Sequence, residues 1–492
     1  MNNENKQKIE TKSLKQNAAL NVTRTLMSLI FPLVTFPYVS RVLGPGGTGK
    51  VHYAQSIVSY FSMIAMLGIN TYGLREAAKI RDNKDKLSKF YKEIMAINLS
   101  STVFAYILFF AALVLFKNLS EYKNLLLVTS ASILFTTLGV EWLYGAVEDY
   151  TYITIRSIAF QFIGVVLLFV LVKDSGDVLQ YASLSVITNV GSNILNFFHC
   201  KKYIYVFKKY SLEIKKHLKP IFILFGTTVA ISIYTVLDTT MLGTICGDEQ
   251  VGLYNAATKI NKIVMTLIVS VGTVVTPRAS NIIETDKVYF ENLLKKTCNF
   301  FLILSIPCTA GLCFLAKPII LLFCGEQFSS AVSTMQIMTP IVIIISFGCF
   351  FTNLIFTPIR KDKFSLFSVL AGALVNFTLN SILIPKFYVF GAGIATVVAE
   401  FVVTSTKFFL AKKLSINMKA LFKNFYQYLI AVIAMIFVLF VISFLKINIV
   451  ANLVLSILLG IFSYTAILLL FRNEYMLNFI ALVKRRFINV RS

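Results

Sequence analysis

About fourteen apolar stretches of about 20 residues each dominate this sequence, and each is long enough to cross the hydrocarbon core of a bilayer as a helix. Short loops separate them, so neighbouring helices should run antiparallel. The pattern predicts an all-α polytopic membrane protein with about 14 transmembrane helices. The predicted spans are approximately 17–39, 51–73, 94–116, 124–146, 150–172, 178–199, 219–243, 251–275, 294–316, 331–356, 364–384, 391–411, 425–445 and 450–471.

The composition excludes several classes of soluble protein. Of the 492 residues, 57% are hydrophobic and 14% are charged, and the mean hydropathy is +0.75. Soluble domains carry about 25% charged residues, so a soluble fold of this size would have too few charges for its surface. A soluble enzyme, a nucleic-acid-binding protein and a disordered scaffold are therefore excluded. The net charge of +24 is better explained by basic loops on the cytoplasmic side of a membrane.

The distribution of lysine and arginine predicts the orientation of the chain. If the N-terminus is cytoplasmic, most basic residues fall in the two tails and in the loops that follow even-numbered spans. This is the arrangement that the positive-inside rule requires, and it makes both termini cytoplasmic. The basic residues left in the outer loops are Arg41, Lys50, Lys117, Lys123, Lys173, Lys317, Lys386 and Lys446.

An internal repeat predicts how the helices are grouped. The segment GKVHYAQSI (49–57) aligns without gaps with GLYNAATKI (252–260). Just upstream, the Leu-Gly pair at 43–44 is matched with the pair at 242–243. We therefore expect two pseudo-symmetric six-helix lobes plus two C-terminal helices, with the substrate pathway where the lobes meet. The predicted parts are a cytoplasmic N-tail (1–16), an N-lobe of helices 1–6 (17–200), a basic cytoplasmic linker (201–218), a C-lobe of helices 7–12 (219–413), and helices 13–14 with a basic cytoplasmic tail (414–492).

Polar side chains recur on one face of the first, second and eighth predicted spans, three or four residues apart. A charged group near the bilayer centre costs about 2.5–3.5 kcal/mol, so such groups usually face a hydrated cavity or a partner. We therefore predict a cationic cavity that binds an anionic head group, because guanidinium and ammonium groups both bind phosphate. The predicted substrate-binding residues are Asn21, Arg24, His52, Asn255, Lys259 and Lys262.

Acidic residues in the spans leave a second interpretation open. Asp238 and Glu141 are candidate ion-coupling carboxylates. Each could instead neutralise a nearby cation, which is how buried charges are usually stabilised. The local pairs expected on this interpretation are Asp238 with Lys259, Glu141 with Arg156, and Glu400 with Lys407.

One motif match is better explained by structure than by chemistry. Residues 44–50, GPGGTGK, match part of a phosphate-binding loop, but Val51 stands where a Ser or Thr ligand for Mg²⁺ is needed. The segment falls between two predicted spans, so a tight Gly/Pro turn explains it better. The three histidines show no metal-ligand spacing, and we predict neither a metal nor another cofactor.

Five segments carry motifs typical of one group of membrane exporters. They are FPYVSRVLGPGGTGKVHYAQSIVSYF (36–61), GINTYGLREAAKIRDNKDKLS (68–88), EWLYGAVEDY (141–150), LDTTMLGTICGDEQVGLYNAATKI (237–260) and GALVNFTLNSILIPKFYVFGAGIATVVAE (372–400). The most specific is the last, where Asn376 and Asn380 precede IPKF and GAGIAT. Over about residues 15–410 the chain resembles the O-antigen flippase, or polysaccharide-biosynthesis, family of the multidrug/oligosaccharidyl-lipid/polysaccharide exporter superfamily. It departs from the family in a glycine-richer first turn and in Glu141, where Asp is frequent.

The resemblance implies a function that agrees with a cationic cavity. It implies movement of a polyprenyl (undecaprenyl)-pyrophosphate-linked oligosaccharide repeat unit from the cytoplasmic to the outer leaflet, by alternating access, for cell-surface polysaccharides such as O-antigen or capsule. We therefore expect a transporter and not an enzyme, located in a bacterial plasma (inner) membrane. An H⁺ or Na⁺ gradient or the membrane potential would drive it. The expected partners are the lipid-linked glycan, the lipid bilayer and polysaccharide polymerase machinery, but no nucleic acid.

Two other functions stay open at this point. An ion-coupled drug or small-molecule antiporter of the same superfamily would need acidic residues to dominate its cavity, whereas the polar faces here are cationic. A membrane glycan polymerase or ligase would be an enzyme with a sizeable external loop, whereas the predicted outer loops are short.

Overall fold

Helices form nearly all of the structure. The computed structural model describes residues 14–283, 285–414, 416–445, 447–478 and 480–481, and in these ranges it contains no β-strand. The helices are α1 (Leu14–Met66), α2 (Ile69–Ile80), α3 (Lys84–Leu115), α4 (Lys123–Gly139), α5 (Glu141–Ala146), α6 (Tyr150–Leu171), α7 (Val178–Val186), α8 (Asn193–His199), α9 (Lys215–Cys246), α10 (Asp248–Ile282), α11 (Lys287–Phe314), α12 (Ala316–Cys324), α13 (Ala331–Met338), α14 (Ile341–Phe350), α15 (Asp362–Lys412), α16 (Met418–Leu421), α17 (Phe425–Ser443) and α18 (Ile449–Leu470). Short 3₁₀ segments occur at Lys117–Tyr122, Cys200–Lys202 and Glu326–Phe328, and π segments at Ile187–Gly191 and Phe351–Phe356.

Among the described residues, 10 helical segments are long and apolar enough to cross a membrane. Two of them are much longer than one crossing. Asp362–Lys412 has 51 residues and contains two predicted spans, and Thr23–Ile80 has 58 residues and contains the second predicted span and most of the first. The predicted spans 178–199 and 219–243 coincide with α7–α8 and α9, which are not among the ten. The all-α polytopic membrane class is confirmed, and the number of fourteen crossings stays a prediction.

A single residue, Gly44, separates the first two predicted spans inside α1. Its φ of 63° and ψ of −177° are not helical, and glycine adopts a positive φ readily because it has no Cβ. Pro45 follows at the start of the next helical stretch, where its fixed φ and missing N–H are tolerated. The Gly/Pro turn expected from GPGGTGK is confirmed only as a one-residue break at Gly44, because the six residues that follow it are helical.

The same backbone conformation recurs at Gly247, between α9 and α10. Its φ is 87° and its ψ is 178°, and a helix begins at the next residue. Gly44 stands as far before Gly49 as Gly247 stands before Gly252, so the gapless alignment of the repeat extends back through both breaks. The match of the Leu-Gly pairs at 43–44 and 242–243 was therefore wrong. The two copies share the glycine break that starts a helix, and Gly243 lies inside α9.

The chain forms two compact units, Met1–Gly252 and Leu253–Ser492. In the first unit, α1 packs against α3, α4, α6 and α9, and α2 packs against α5. In the second unit, α11 packs against α14 and α17, and α17 packs against α18. The predicted lobe boundaries stay a prediction.

Candidate functional site

Three charged side chains from different helices meet in the first unit. Arg24 lies on α1, Glu141 begins α5 and Arg156 lies on α6. Arg24 Nη2 donates to Glu141 Oε1 at 3.0 Å and to Oε2 at 3.3 Å. Arg156 Nη2 donates to Glu141 Oε1 at 3.3 Å, and its Nη1 donates to the carbonyl oxygen of Ser192 at 3.2 Å. One carboxylate therefore pairs with two guanidinium groups, and this triad has a net positive charge.

Local backbone geometry positions the carboxylate of the triad. Val140, between α4 and α5, has a φ of 36° and a ψ of 39°, a left-handed conformation that ends one helix and lets the next begin at Glu141. A carboxylate is favoured in the first turn of a helix, where backbone N–H groups are unpaired. On the other side, Thr154 Oγ1 of α6 donates to the Leu20 carbonyl of α1 at 3.3 Å, which joins the helices that carry the two arginines.

The two arginines of the triad differ in burial. The Arg156 side chain is 3% exposed, whereas those of Arg24 and Glu141 are 31% and 38% exposed. A buried cation needs a counter-charge, which Glu141 supplies to Arg156. Arg24 remains accessible to another anion. The Glu141–Arg156 pair expected from the sequence is confirmed, and the binding of Arg24 to the same carboxylate was not predicted.

The second unit holds the other predicted cations. Asn255, Lys259 and Lys262 lie on α10, and their spacing of four and three residues puts them on one face. Asn255 and Lys259 are half-buried and Lys262 is exposed. Because these residues and Arg24 belong to different units, a cavity common to all four stays a prediction.

The remaining predicted site residues are Asn21, His52 and Asp238. The Asn21 side chain lies outside the described part of the structure. His52 is half-buried on α1, after the Gly44 break, and Asp238 is 6% exposed on α9. The pairing of Asp238 with a lysine of α10 stays a prediction, as do the assigned roles of all three residues.

The two helix starts related by the repeat pack against each other within the first unit. A Cβ atom on Gly49 would lie 1.8 Å from the carbonyl oxygen of Asp248, and a Cβ atom on Gly252 would lie 2.0 Å from that of Pro45. The two contacts are equivalent under the repeat, because each glycine meets the residue that begins the other helix. Any side chain at either glycine would force the helices apart. The sequence revealed the repeat, but not that its copies touch.

Hydrogen bonds surround this glycine contact. Tyr122 Oη donates to Asp248 Oδ1 and Oδ2 at 2.8 and 2.9 Å. Tyr53 and Thr244 hydroxyls lie 3.2 Å apart. The contact is therefore fixed by both packing and polar bonds. Asp248 lies within the family motif at 237–260, but neither it nor Tyr122 was predicted to take part in such a contact.

A second buried polar cluster lies in the first unit and was not predicted. His217 Nε2 is 2.8 Å from Glu93 Oε2, and its Nδ1 is 2.8 Å from the Tyr72 hydroxyl. All three residues are buried. The cluster joins α2, α3 and α9. Within the described ranges, no group of three His, Cys, Asp or Glu side chains could hold a metal ion.

Comparisons of sequence identify relatives of the chain. The family described as "Polysaccharide biosynthesis protein" matches residues 14–283, and the MatE family matches residues 224–382. A protein of Escherichia coli strain K12 whose name assigns it to O-antigen transport is 24% identical over 396 residues, which are 80% of this chain and 95% of the relative. A protein of Shigella dysenteriae with the same name is 24% identical over 388 residues, 77% of this chain and 94% of the relative.

Solved structures share the fold. A lipid II flippase, MurJ, in an inward closed conformation matches with a TM-score of 0.74 at 20% identity, over 93% of this chain and 99% of that one. An inward-facing multidrug resistance transporter of the MATE family matches with a TM-score of 0.60 at 14% identity, over 83% of this chain and 99% of that one. At these identities the likeness concerns the fold alone. Because the family match covers more than half of the sequence, this chain belongs to the polysaccharide biosynthesis protein family of the multidrug/oligosaccharidyl-lipid/polysaccharide exporter superfamily.

Proposed function

We propose that this protein is a flippase that moves a polyprenyl (undecaprenyl)-pyrophosphate-linked oligosaccharide from the cytoplasmic to the outer leaflet by alternating access. The observation that carries the proposal is the net positive triad of Arg24, Glu141 and Arg156. Its more exposed guanidinium, that of Arg24, can form two parallel hydrogen bonds to a phosphate group. The relatives named for O-antigen transport and the fold shared with a lipid II flippase support the same substrate class.

The triad suits a reversible exchange of partners. Glu141 holds Arg24 in place without substrate, and a pyrophosphate would compete with it for the guanidinium. Arg156 keeps Glu141 paired when Arg24 leaves, so neither charge is stranded. Glu141 therefore acts as an internal counter-ion, and Asp238 is the better candidate for ion coupling. Lys259 and Lys262 would supply further point charges to the head group, with Asn255, Asn21 and His52 as polar neighbours.

The glycine contact supports a role in alternating access. By the predicted orientation, Gly49 and Gly252 lie near the outer side of the membrane. The close approach of the two helix starts would close that side, and their separation would open it. Gly44 and Gly247, which precede the two helices at positive φ, would act as the hinges of this change.

The location and energy source follow from the same proposal. The protein would lie in a bacterial inner membrane with both termini in the cytoplasm, as the positive-inside rule predicts. It would transport and catalyse no covalent reaction, with an H⁺ or Na⁺ gradient or the membrane potential as its energy source. Polysaccharide polymerase machinery would receive the product at the outer leaflet.

A second candidate function is ion-coupled export of small molecules. The MatE match over residues 224–382 and the inward-facing multidrug transporter fold favour it. Such a transporter would select cationic drugs through a net acidic cavity, which the triad does not provide. Resistance of cells to cationic dyes separates the candidates, because a flippase would not change it.

Deletion in the native host tests the proposal. We expect lipid-linked oligosaccharide to accumulate on the cytoplasmic leaflet, and wild-type protein to restore its exposure outside. Lys259→Ala with Lys262→Ala should fail to restore it. Lys412→Ala with Lys413→Ala, which removes two exposed lysines at the end of α15, is the matched control and should restore it. Normal export without the protein would overturn the proposal.

A further inference from the structure

Residues 201–214, here called the basic strap, connect α8 to α9 and lie apart from the proposed transport site. After its first 3₁₀ residues the strap has no helical structure until it meets α9, yet hydrogen bonds fasten it to the start of α3. The Tyr205 N–H donates to Ser88 Oγ at 2.8 Å, and the Glu213 N–H donates to Glu93 Oε1 at 2.9 Å. The strap therefore has a defined shape against α3.

Ion pairs add to this fastening. Glu213 lies 2.5 Å from Lys89 Nζ and 3.1 Å from Lys216 Nζ, and these lysines lower the pKa of its carboxyl to about 2. Asp85 pairs with Lys208 at 2.5 Å and accepts a hydrogen bond from the Tyr210 hydroxyl at 2.9 Å. Both acidic groups are thus already engaged with the strap or its neighbours.

A pocket of about 490 Å³ opens between the strap and α3. Three of its lining side chains, Lys84, Lys201 and Lys208, are cationic, and Asp85 is the acidic one. Lys84 Nζ lies 4.8 Å from the centre of the Tyr205 ring and Lys208 Nζ 5.8 Å from it, so cation–π contacts orient these two ammonium groups. The pocket therefore presents an excess of positive charge next to an aromatic surface.

Phe207, also in the pocket lining, is 94% exposed. A large apolar side chain among lysines and outside any core is typical of segments that lie in a membrane interface. The flanking helices place the strap near such an interface. Phe198, in the last turn of α8, is exposed, and so are Phe222 and Ile223 in α9. Lys201 Nζ lies 5.9 Å from the centre of the Phe198 ring, so the basic residues begin where the apolar surface ends.

We propose that this pocket and Phe207 form a docking surface for the phosphate head groups of anionic phospholipids in the leaflet beside the strap. The lysines bind the phosphate, and Phe207 enters the boundary between the head groups and the acyl chains. The charge of the pocket and its continuity with the exposed apolar side chains of α8 and α9 favour a lipid over a soluble anion. This docking surface is distinct from the proposed transport site, and the lipid-docking proposal does not depend on the proposed transport function.

A tryptophan reporter tests the proposal in the full-length protein. The only natural tryptophan, Trp142, is 3% exposed, so Phe207→Trp adds an accessible indole. The variant is reconstituted in phosphatidylcholine vesicles that contain a small fraction of brominated phosphatidylglycerol or, separately, of brominated phosphatidylcholine. We expect the anionic lipid to be enriched near the indole about fivefold, as estimated for one lysine at an anionic surface. Quenching by brominated phosphatidylglycerol should exceed that by brominated phosphatidylcholine accordingly.

Two further variants identify the lysines responsible. Adding Lys84→Gln and Lys201→Gln should make the two lipids quench equally, whereas Lys412→Gln with Lys413→Gln should keep the preference. Equal quenching in the Phe207→Trp protein, or no quenching by either lipid, would overturn the proposal. Loss of the preference in millimolar inorganic phosphate at constant ionic strength would also overturn it, because the pocket would then take a free anion.

Discussion

Removing the negative charge from the Arg24–Glu141–Arg156 triad should destabilise the protein more than removing the exposed positive charge. Glu141→Gln keeps the size of the side chain but leaves the buried Arg156 guanidinium without a counter-charge. Arg24→Gln leaves Glu141 still paired with Arg156. The two variants thus affect the same cluster with different consequences for burial.

The magnitude follows from distance and exposure. At 3.3 Å and an effective dielectric constant of about 20, two unit charges attract by about 5 kcal/mol. Loss of one partner of a fully buried pair costs about 3–5 kcal/mol. Because the Glu141 side chain is 38% exposed, water screens part of this, and we expect a loss of about 2 kcal/mol. Arg24 and Glu141 are both about one-third exposed, so their pair should contribute less than about 1 kcal/mol.

Thermal unfolding of the purified variants in one detergent measures this difference. The Glu141→Gln protein should have the lower midpoint, and adding Arg156→Gln should recover part of the loss because no buried charge is then left alone. Arg24→Gln should unfold close to wild type yet lose transport. If Arg24→Gln lowers the midpoint as much as Glu141→Gln does, the assignment of Arg156 as structural and Arg24 as functional is wrong.

Three other predictions concern the rest of the chain. Gly49→Ala should abolish transport because its Cβ would overlap the Asp248 carbonyl. Gly46→Ala is the control and should transport normally, because its Cβ would meet nothing within 4 Å. Equal activity of the two variants would contradict the role of the glycine contact. The pKa of the Glu213 carboxyl is lowered to about 2 from an ordinary value near 4.5. Its ion pairs are therefore fully formed above pH 4.5 and are lost as the pH falls through 2. The rate of hydrogen exchange in the basic strap, corrected for intrinsic rates, should therefore not change from pH 8 to 5. Faster exchange near pH 5 would refute this. Tyr428→Phe removes a buried 2.7 Å hydrogen bond to Asn299 and should cost about 1–2 kcal/mol in thermal unfolding, while an unchanged midpoint would count against that bond.

The sequence predicts the helical class well because hydrophobic runs depend only on local composition. The Gly44 break was predictable for the same reason, since glycine and proline act on their own backbone. The partner of Arg24 was not, because Glu141 is 117 positions away and nothing local relates them. The repeat was detectable in the sequence, yet the match of Gly44 with Gly247 became clear only from the backbone conformation of the two glycines. The reciprocal contact of Gly49 and Gly252 depends on how helices pack, which one sequence does not record.

The proposed function requires that the protein itself moves an anionic lipid-linked glycan between leaflets. The most direct test uses vesicles that contain the purified protein and a fluorescent polyprenyl-pyrophosphate oligosaccharide, with a membrane-impermeant reductant added outside. We expect wild-type protein to expose the inner-leaflet pool to the reductant, and Arg24→Gln or Lys259→Ala with Lys262→Ala to slow this exposure at least tenfold. Reduction limited to the outer-leaflet pool, as in vesicles without protein, under every ion gradient and potential imposed, would contradict it.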